Sequence, residues 1–214
     1  PPVIDDMARE FSIQSEHVIN TGFYRPNLAL HVTACRDDND RDRQLAQRLK
    51  QPGNTPSVVY VTLQKTAERV AAMLRQTGLN AQHYHAGMAA DARARVQDEF
   101  MASDANVVVA TIAFGMGVDK SNIRSVYHYN LAKGFESYMQ EIGRAGRDGL
   151  NAEALLLFGA QDVGTARRLV ENNDNPEQKR IEVHKLNAMV GLAESVTCRR
   201  RVLLNYFGER LEQD

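Results

Sequence analysis

Alternating strand-like and helix-like segments predict an α/β protein, a parallel sheet flanked by helices and followed by a small all-helical appendage. Three observations carry this. Ser57-Val58-Val59-Tyr60-Val61 and Val107-Val108-Val109-Ala110 have the unbroken apolar composition of strands buried on both faces. Stretches with helical periodicity lie between such runs. Strand character stops after Phe158, whereas helical patterning continues beyond it.

The opening, Pro1 to Tyr24, is mixed and has too few apolar residues for a core of its own. Asp37 to Arg43 is a dense charge run, and Gln51-Pro52-Gly53-Asn54-Thr55-Pro56 is a turn cluster. After the strand at 57–61, Val70, Met73 and Leu74 mark one helical face, and Gly78 stops that helix. Gln82-His83-Tyr84-His85 is a second short strand. Ala92, Val96 and Phe100 then align on a helix whose surface offers Asp91–Arg95 and Arg95–Glu99 as ion pairs. The strand at 107–110 follows. Val126-Tyr127-His128-Tyr129 and Leu155-Leu156-Leu157-Phe158 are two more strands, with a helix from Glu136 to Ile142 between them. Asn175-Pro176 is a helix start, Asn as cap and Pro in the first turn. Val183, Leu186, Met189 and Val190 form its apolar stripe. A last helix runs from Thr197 to Phe207 and is closed by Gly208.

With 214 residues, 43% hydrophobic and 25% charged, the chain can bury one domain and carry an appendage. The formal charge is −1, so nucleic acid would be met by a local strip rather than a global basic field. Two cysteines, Cys35 and Cys198, exclude a disulfide scaffold and indicate a reducing compartment. No apolar run reaches membrane-spanning length, which excludes a transmembrane helix; the expected location is the cytoplasm or nucleoid of a bacterium. The first residue is proline, so a fragment of a longer protein is expected.

The chemistry concentrates in Gln140-Glu141-Ile142-Gly143-Arg144-Ala145-Gly146-Arg147-Asp148-Gly149. Two arginines stand among three glycines. A guanidinium grips phosphate through two parallel hydrogen bonds, and glycine removes the Cβ that would hold a ligand off the backbone. A glycine-rich loop, Gly115-Met116-Gly117-Val118-Asp119-Lys120, follows the strand at 107–110, where phosphates and sugars dock. It is not a dinucleotide fingerprint, because Lys120 stands where a third glycine would be. No GxxxxGK[ST] occurs, and no glycine is followed by lysine. The arginines can therefore reach a nucleoside triphosphate whose phosphates and metal are held elsewhere.

These residues resemble the second RecA-like motor domain of RecQ-type DNA helicases, from about Arg25-Pro26-Asn27 onward. The anchors are Tyr84-His85-Ala86-Gly87, Val109 to Gly117, Glu136-Ser137-Tyr138, the Gln140–Gly149 box, His184 to Met189, and Thr197-Cys198-Arg199-Arg200 to Glu209. The resemblance implies residues 1–24 as the end of a preceding motor domain or linker, 25–160 as the RecA-like domain, and 161–214 as the helical part of a zinc-binding subdomain. It implies Arg147 as arginine finger with Arg144 and Gln140 beside it, and Gly117 and Asp119 near the nucleotide. It places Thr62, His85, Gly87, Thr111, Gly115 and Met116 against DNA. The implied cofactors are ATP and Mg²⁺, held mainly by an N-terminal RecA-like partner domain. The implied activity is 3′ to 5′ unwinding in DNA repair or recombination, with this half inactive alone. Cys198 matches the first of four zinc-binding cysteines; one thiolate cannot make a tetrahedral site, so no metal is expected within this stretch. Two other readings stay open: a non-catalytic module binding nucleic acid or a partner, and the corresponding half of an RNA helicase.

Overall fold

The computed structural model describes residues 2–19, 22–111, 114, 119–171 and 174–210. A six-stranded, all-parallel sheet forms its centre: β1 (Leu28–Ala34), β2 (Ser57–Tyr60), β3 (Ala81–Tyr84), β4 (Val107–Ala110), β5 (Ser125–His128) and β6 (Ala152–Phe158). The strand order is β1-β6-β5-β2-β4-β3. Two-residue alternation divides the apolar strands between the sheet's faces. Val58, Tyr60, Val108, Ala110, Val126, Ala154 and Leu156 enter one core, and Val59, Val61, Val107, Val109, Tyr127, Leu155 and Leu157 enter the other.

Helices α2 (Asp38–Leu49) and α3 (Gln64–Gln76) cover the second face through Leu45, Leu49, Val70 and Leu74. On the first face lie α4 (Ala90–Ala102) and α5 (Phe135–Ile142), which bury Val96, Phe100, Tyr138 and Ile142. Three further helices are α1 (Pro2–Glu10), α6 (Ala160–Glu171) and α7 (Pro176–Glu194), and α8 (Arg199–Tyr206) closes the chain's helical part. The fold class expected from sequence is therefore observed: a parallel sheet flanked by helices, with helices at the end.

Local chemistry explains the boundaries. Asn175 accepts from the amides of Glu177 and Gln178, and Pro176 occupies the first turn of α7. Gly78 and Gly208 adopt φ of +90° and +81° just after α3 and α8. The pair Asp91–Arg95 forms at 3.7 Å, but Glu99 instead accepts from the Gln82 amide.

Four elements escaped the sequence reading, and one stripe was misdrawn. The charge run at 37–43 is the start of α2: Asp37 caps it by accepting from the Asp40 amide, and the apolar residues that pack it come later, at Leu45 and Leu49. β1 alternates apolar and polar residues and sits at the sheet edge, so it lacks the continuous apolar signal of β2 or β4. α1 and α6 were likewise not anticipated. On α7 the buried residues are Leu186, Met189, Leu192 and Ala193, whereas Val183 is exposed.

The terminal helices are not a detached appendage. Met189, Leu192, Ala193 and Leu203 share one core with Leu28, Tyr138, Ile142 and Leu156 of the sheet layer. Arg200 donates to the Leu28 carbonyl at 2.6 Å, Tyr206 donates to Glu136 at 3.1 Å, and the rings of Phe135 and Tyr206 meet edge to face at 4.5 Å. The segment before β1 docks there too: Phe23 stacks against Phe207 at 4.7 Å, and its amide donates to Glu209.

Candidate functional site

Every strand is parallel, so the carboxyl ends lie along one edge of the sheet, where loops converge. A cleft of about 300 Å³ opens there, lined by Val61, Thr62 and Gln64 after β2, Thr111 after β4, Asn130 to Lys133 after β5, and Glu141 of α5. Thr62 and Thr111, both expected as contacts, are thus brought together. The Thr62 amide donates to Asn130 Oδ1 at 3.2 Å, and Asn130 in turn donates to Asp162 at 3.2 Å. Asp162 also accepts from Arg41 at 2.5 Å and from the Gly159 amide. Both partners of that ion pair are almost fully buried, and burial pushes the Asp162 carboxyl up against the pull of Arg41. The rim of the cleft is tied through Asn130 to a buried charge pair between α2 and α6.

Behind the cleft, Glu141 lies 2.6 Å from Nε2 of the buried His128. The His128 ring stacks on Tyr60 at 5.5 Å and meets Tyr138 at 4.8 Å. Tyr60 donates to the Phe114 carbonyl, and its hydroxyl also meets the Arg144 guanidinium. Burial drives that hydroxyl well above the ordinary tyrosine value, with Arg144 opposing, so it stays protonated. Arg144 is half-buried in this arrangement, and Arg147 lies close enough to act on the same hydroxyl. The two arginines expected from sequence are therefore neighbours at the carboxyl end of β2.

The segment that carries them is braced on every side. Gly146 has φ of +61°, and a Cβ there would lie 2.6 Å from Asn27 Nδ2 and 2.9 Å from both Ala152 Cβ and the Leu150 carbonyl. Only glycine fits. The Gly146 amide donates to the Ile123 carbonyl, and its own carbonyl accepts from Arg25 at 2.7 Å and Asn27 at 2.8 Å. Asp148 holds Arg124 through both carboxylate oxygens at 2.6 Å, and this guanidinium keeps its carboxyl below the usual range. Against this fixed base, Arg147 is 40% exposed. It donates to the Gly143 carbonyl at 3.3 Å and to Asp119 at 3.1 Å, and Asp119 is itself 89% exposed. Gln140 is exposed on α5.

His85 and Gly87 lie apart from the arginines, past the end of edge strand β3. Gly87 is exposed, and a Cβ there would meet Gln64 Oε1 at 2.5 Å, so the turn abuts the cleft through Gln64. His85 is only 4% exposed and faces Glu68 at 3.2 Å. Gly115, Met116 and Gly117 lie outside the described residues. Cys198 is exposed just before α8. Among the described residues, one cluster of three metal-ligating side chains occurs, Glu68, His83 and His85, and Cys198 is not in it. No described helix is long and apolar enough to cross a membrane.

Sequence reasoning gave no role to the segment from Tyr129 to Phe135, yet Asn130 to Lys133 line the cleft. The available signal was positional, since they directly follow a strand in a parallel sheet. Arg25 and Asn27 marked the start of the resemblance, and the structure shows them bracing the arginine loop.

Comparison with known proteins decides the family. The helicase conserved C-terminal domain matches residues 40–149, and the RecQ zinc-binding family matches residues 160–214. The chain is a RecQ-type helicase C-terminal domain. It is similar to the ATP-dependent DNA helicase RecQ of Bacillus subtilis, 40% identical over 98% of the chain, and to that of Pasteurella multocida, 42% identical over 97%. The chain spans 35% and 32% of the length of these relatives. Among solved structures, the E. coli DEAD-box protein SrmB bound to regulator of ribonuclease activity A shares its fold, with a TM-score of 0.60 and 24% identity over 72% of this chain and 89% of that one.

Proposed function

We propose that this domain is the C-terminal motor half of an ATP-dependent DNA helicase that translocates 3′ to 5′, completing an ATP site whose phosphate cradle and Mg²⁺ ligands belong to an N-terminal RecA-like domain. The observation that carries the reading is the contrast around Arg147. Its backbone is locked by Gly146, Arg25, Asn27 and Asp148, while its guanidinium stands at the surface, held among the described residues by a carbonyl and a solvent-exposed carboxylate. An exposed pair of this kind is worth at most about 1 kcal/mol, so a triphosphate can displace Asp119 at small cost. A rigid mount with a releasable charge suits an arginine that stabilises negative charge as phosphoryl transfer proceeds.

Arg144 is assigned to the same phosphate, oriented by the Tyr60 hydroxyl. Thr62, Thr111 and Gly87 are assigned to DNA phosphate and sugar, which position the strand without reading its sequence. His85, being buried, supports the Gly87 turn from beneath in that assignment. The test is Arg147→Ala in the full-length protein. ATP hydrolysis should fall by about 10³-fold or more, with nucleotide affinity changed little. Hydrolysis within tenfold of wild type would refute the finger assignment. DNA-stimulated turnover by the 214-residue chain alone would refute the division of labour.

A further inference from the structure

Edge strand β3 and helix α3 bring together three side chains that the motor reading leaves without a common purpose. His83 and His85 are two residues apart, so both project from the α3-facing side of the sheet, the side on which Ala81 is buried. Glu68 comes from α3. Their ligating atoms all lie within 4.8 Å of one another, and His85 Nε2 is 3.2 Å from Glu68 Oε1. Ligand atoms around a tetrahedral ion with bonds of about 2.0–2.2 Å are separated by roughly 3.3–3.5 Å. The His85–Glu68 separation is already that of a coordination shell, and His83 would have to move in by up to about 1 Å to complete it.

Two details strengthen this. His85 is 4% exposed, and its Nδ1 is buried without a partner among the described residues. The nitrogen that faces the cluster is Nε2, 3.2 Å from Glu68 Oε1, and Nδ1 lies instead against the Gly87 turn. The His83 and His85 rings stack at 5.4 Å with planes 19° apart. Glu68 is more than half exposed, which leaves a route for the ion and room for water as a fourth ligand.

We propose that Glu68, His83 and His85 form a binding site for a first-row divalent cation of the zinc class, which clamps α3 to the edge of the sheet. Two imidazoles and one carboxylate favour zinc, nickel, copper or cobalt over magnesium or calcium, which prefer all-oxygen shells. Metal that binds only the folded state stabilises it by RT ln(1 + c/Kd), where c is the free metal concentration.

The test titrates Co²⁺ and Zn²⁺ into the 214-residue chain and into its H83A, H83Q, E68Q and C198S variants. Wild type should take up one equivalent, with visible cobalt absorption lacking a sulfur-to-metal charge-transfer band. Its thermal midpoint should rise with zinc concentration. H83A should bind at least tenfold more weakly while melting near wild type without metal; H83Q serves if H83A does not fold. E68Q should weaken binding, and C198S should leave it unchanged. Wild-type affinity in the folded His83 variant, loss of binding in C198S, or no uptake at about 100 µM metal would overturn the site.

Discussion

Replacing Gly146 by alanine probes the mount of the arginine loop directly. At φ of +61° an L-residue costs roughly 1–2 kcal/mol in backbone strain alone. The added methyl group would meet Asn27 Nδ2 at 2.6 Å, with Ala152 Cβ and the Leu150 carbonyl at 2.9 Å. Relieving such crowding typically costs about 1–3 kcal/mol. If Asn27 moves away, its bonds to the Gly146 and Leu150 carbonyls are lost as well. The total is roughly 2–5 kcal/mol, read as a lower urea midpoint for the chain. Gly149 supplies the control. Its φ is +82°, but nothing lies within 4 Å of where a Cβ would stand, so G149A should show only the strain, about 1–2 kcal/mol. In the full-length protein, G146A should also cut hydrolysis by about 10²-fold, since displacing a catalytic group by about 1 Å has that effect. A G146A variant within ~0.5 kcal/mol of wild type, or no worse than G149A, would refute the claim that close packing at Gly146 locks the loop.

Three further outcomes are expected. R41M leaves Asp162 buried without its cation and should cost about 3–5 kcal/mol in chemical denaturation; adding D162N should recover part of this, because the amide buries no charge yet still accepts from the Gly159 amide. N175A removes the acceptor for two amides at the start of α7 and should lower stability by about 1 kcal/mol in the same assay. Arg124 lowers the Asp148 pKa below 3.8, so the folded state binds this proton less readily than the unfolded state. Its contribution is present above pH 3.8 and is lost as pH falls through the folded value. An acid titration of unfolding free energy should accordingly be shallower below pH 4 for D148N than for wild type.

The sheet could be read from sequence because its central strands are buried on both faces, which leaves runs such as Val107 to Ala110 with no polar interruption. β1 escaped for the converse reason: at the edge, only Leu28 is fully buried, and the alternation is blurred. Arg144 and Arg147 were visible because arginine among glycines has few structural uses. Their mount was not, since Arg25 and Asn27 lie more than 115 residues earlier and act through backbone carbonyls. Long-range contacts to main-chain atoms leave no local pattern. The same holds for Asn130, whose role depends on Thr62 and Asp162 coming together only in the fold. His83 and Glu68 were overlooked because a strand and a separate helix must pack before their side chains meet.

The shared core beneath α7 and α8 has a mechanical consequence. Their apolar residues interlock with the sheet layer, and Arg200, Tyr206 and Phe207 fasten the same helices to β1, α5 and the entering chain. A joint of that kind does not flex independently of the sheet. If the arginine loop moves against a partner domain as proposed above, the sheet and terminal helices would therefore turn as one piece. In that proposed motion α7 and α8 would act as a lever arm rigidly joined to the sheet.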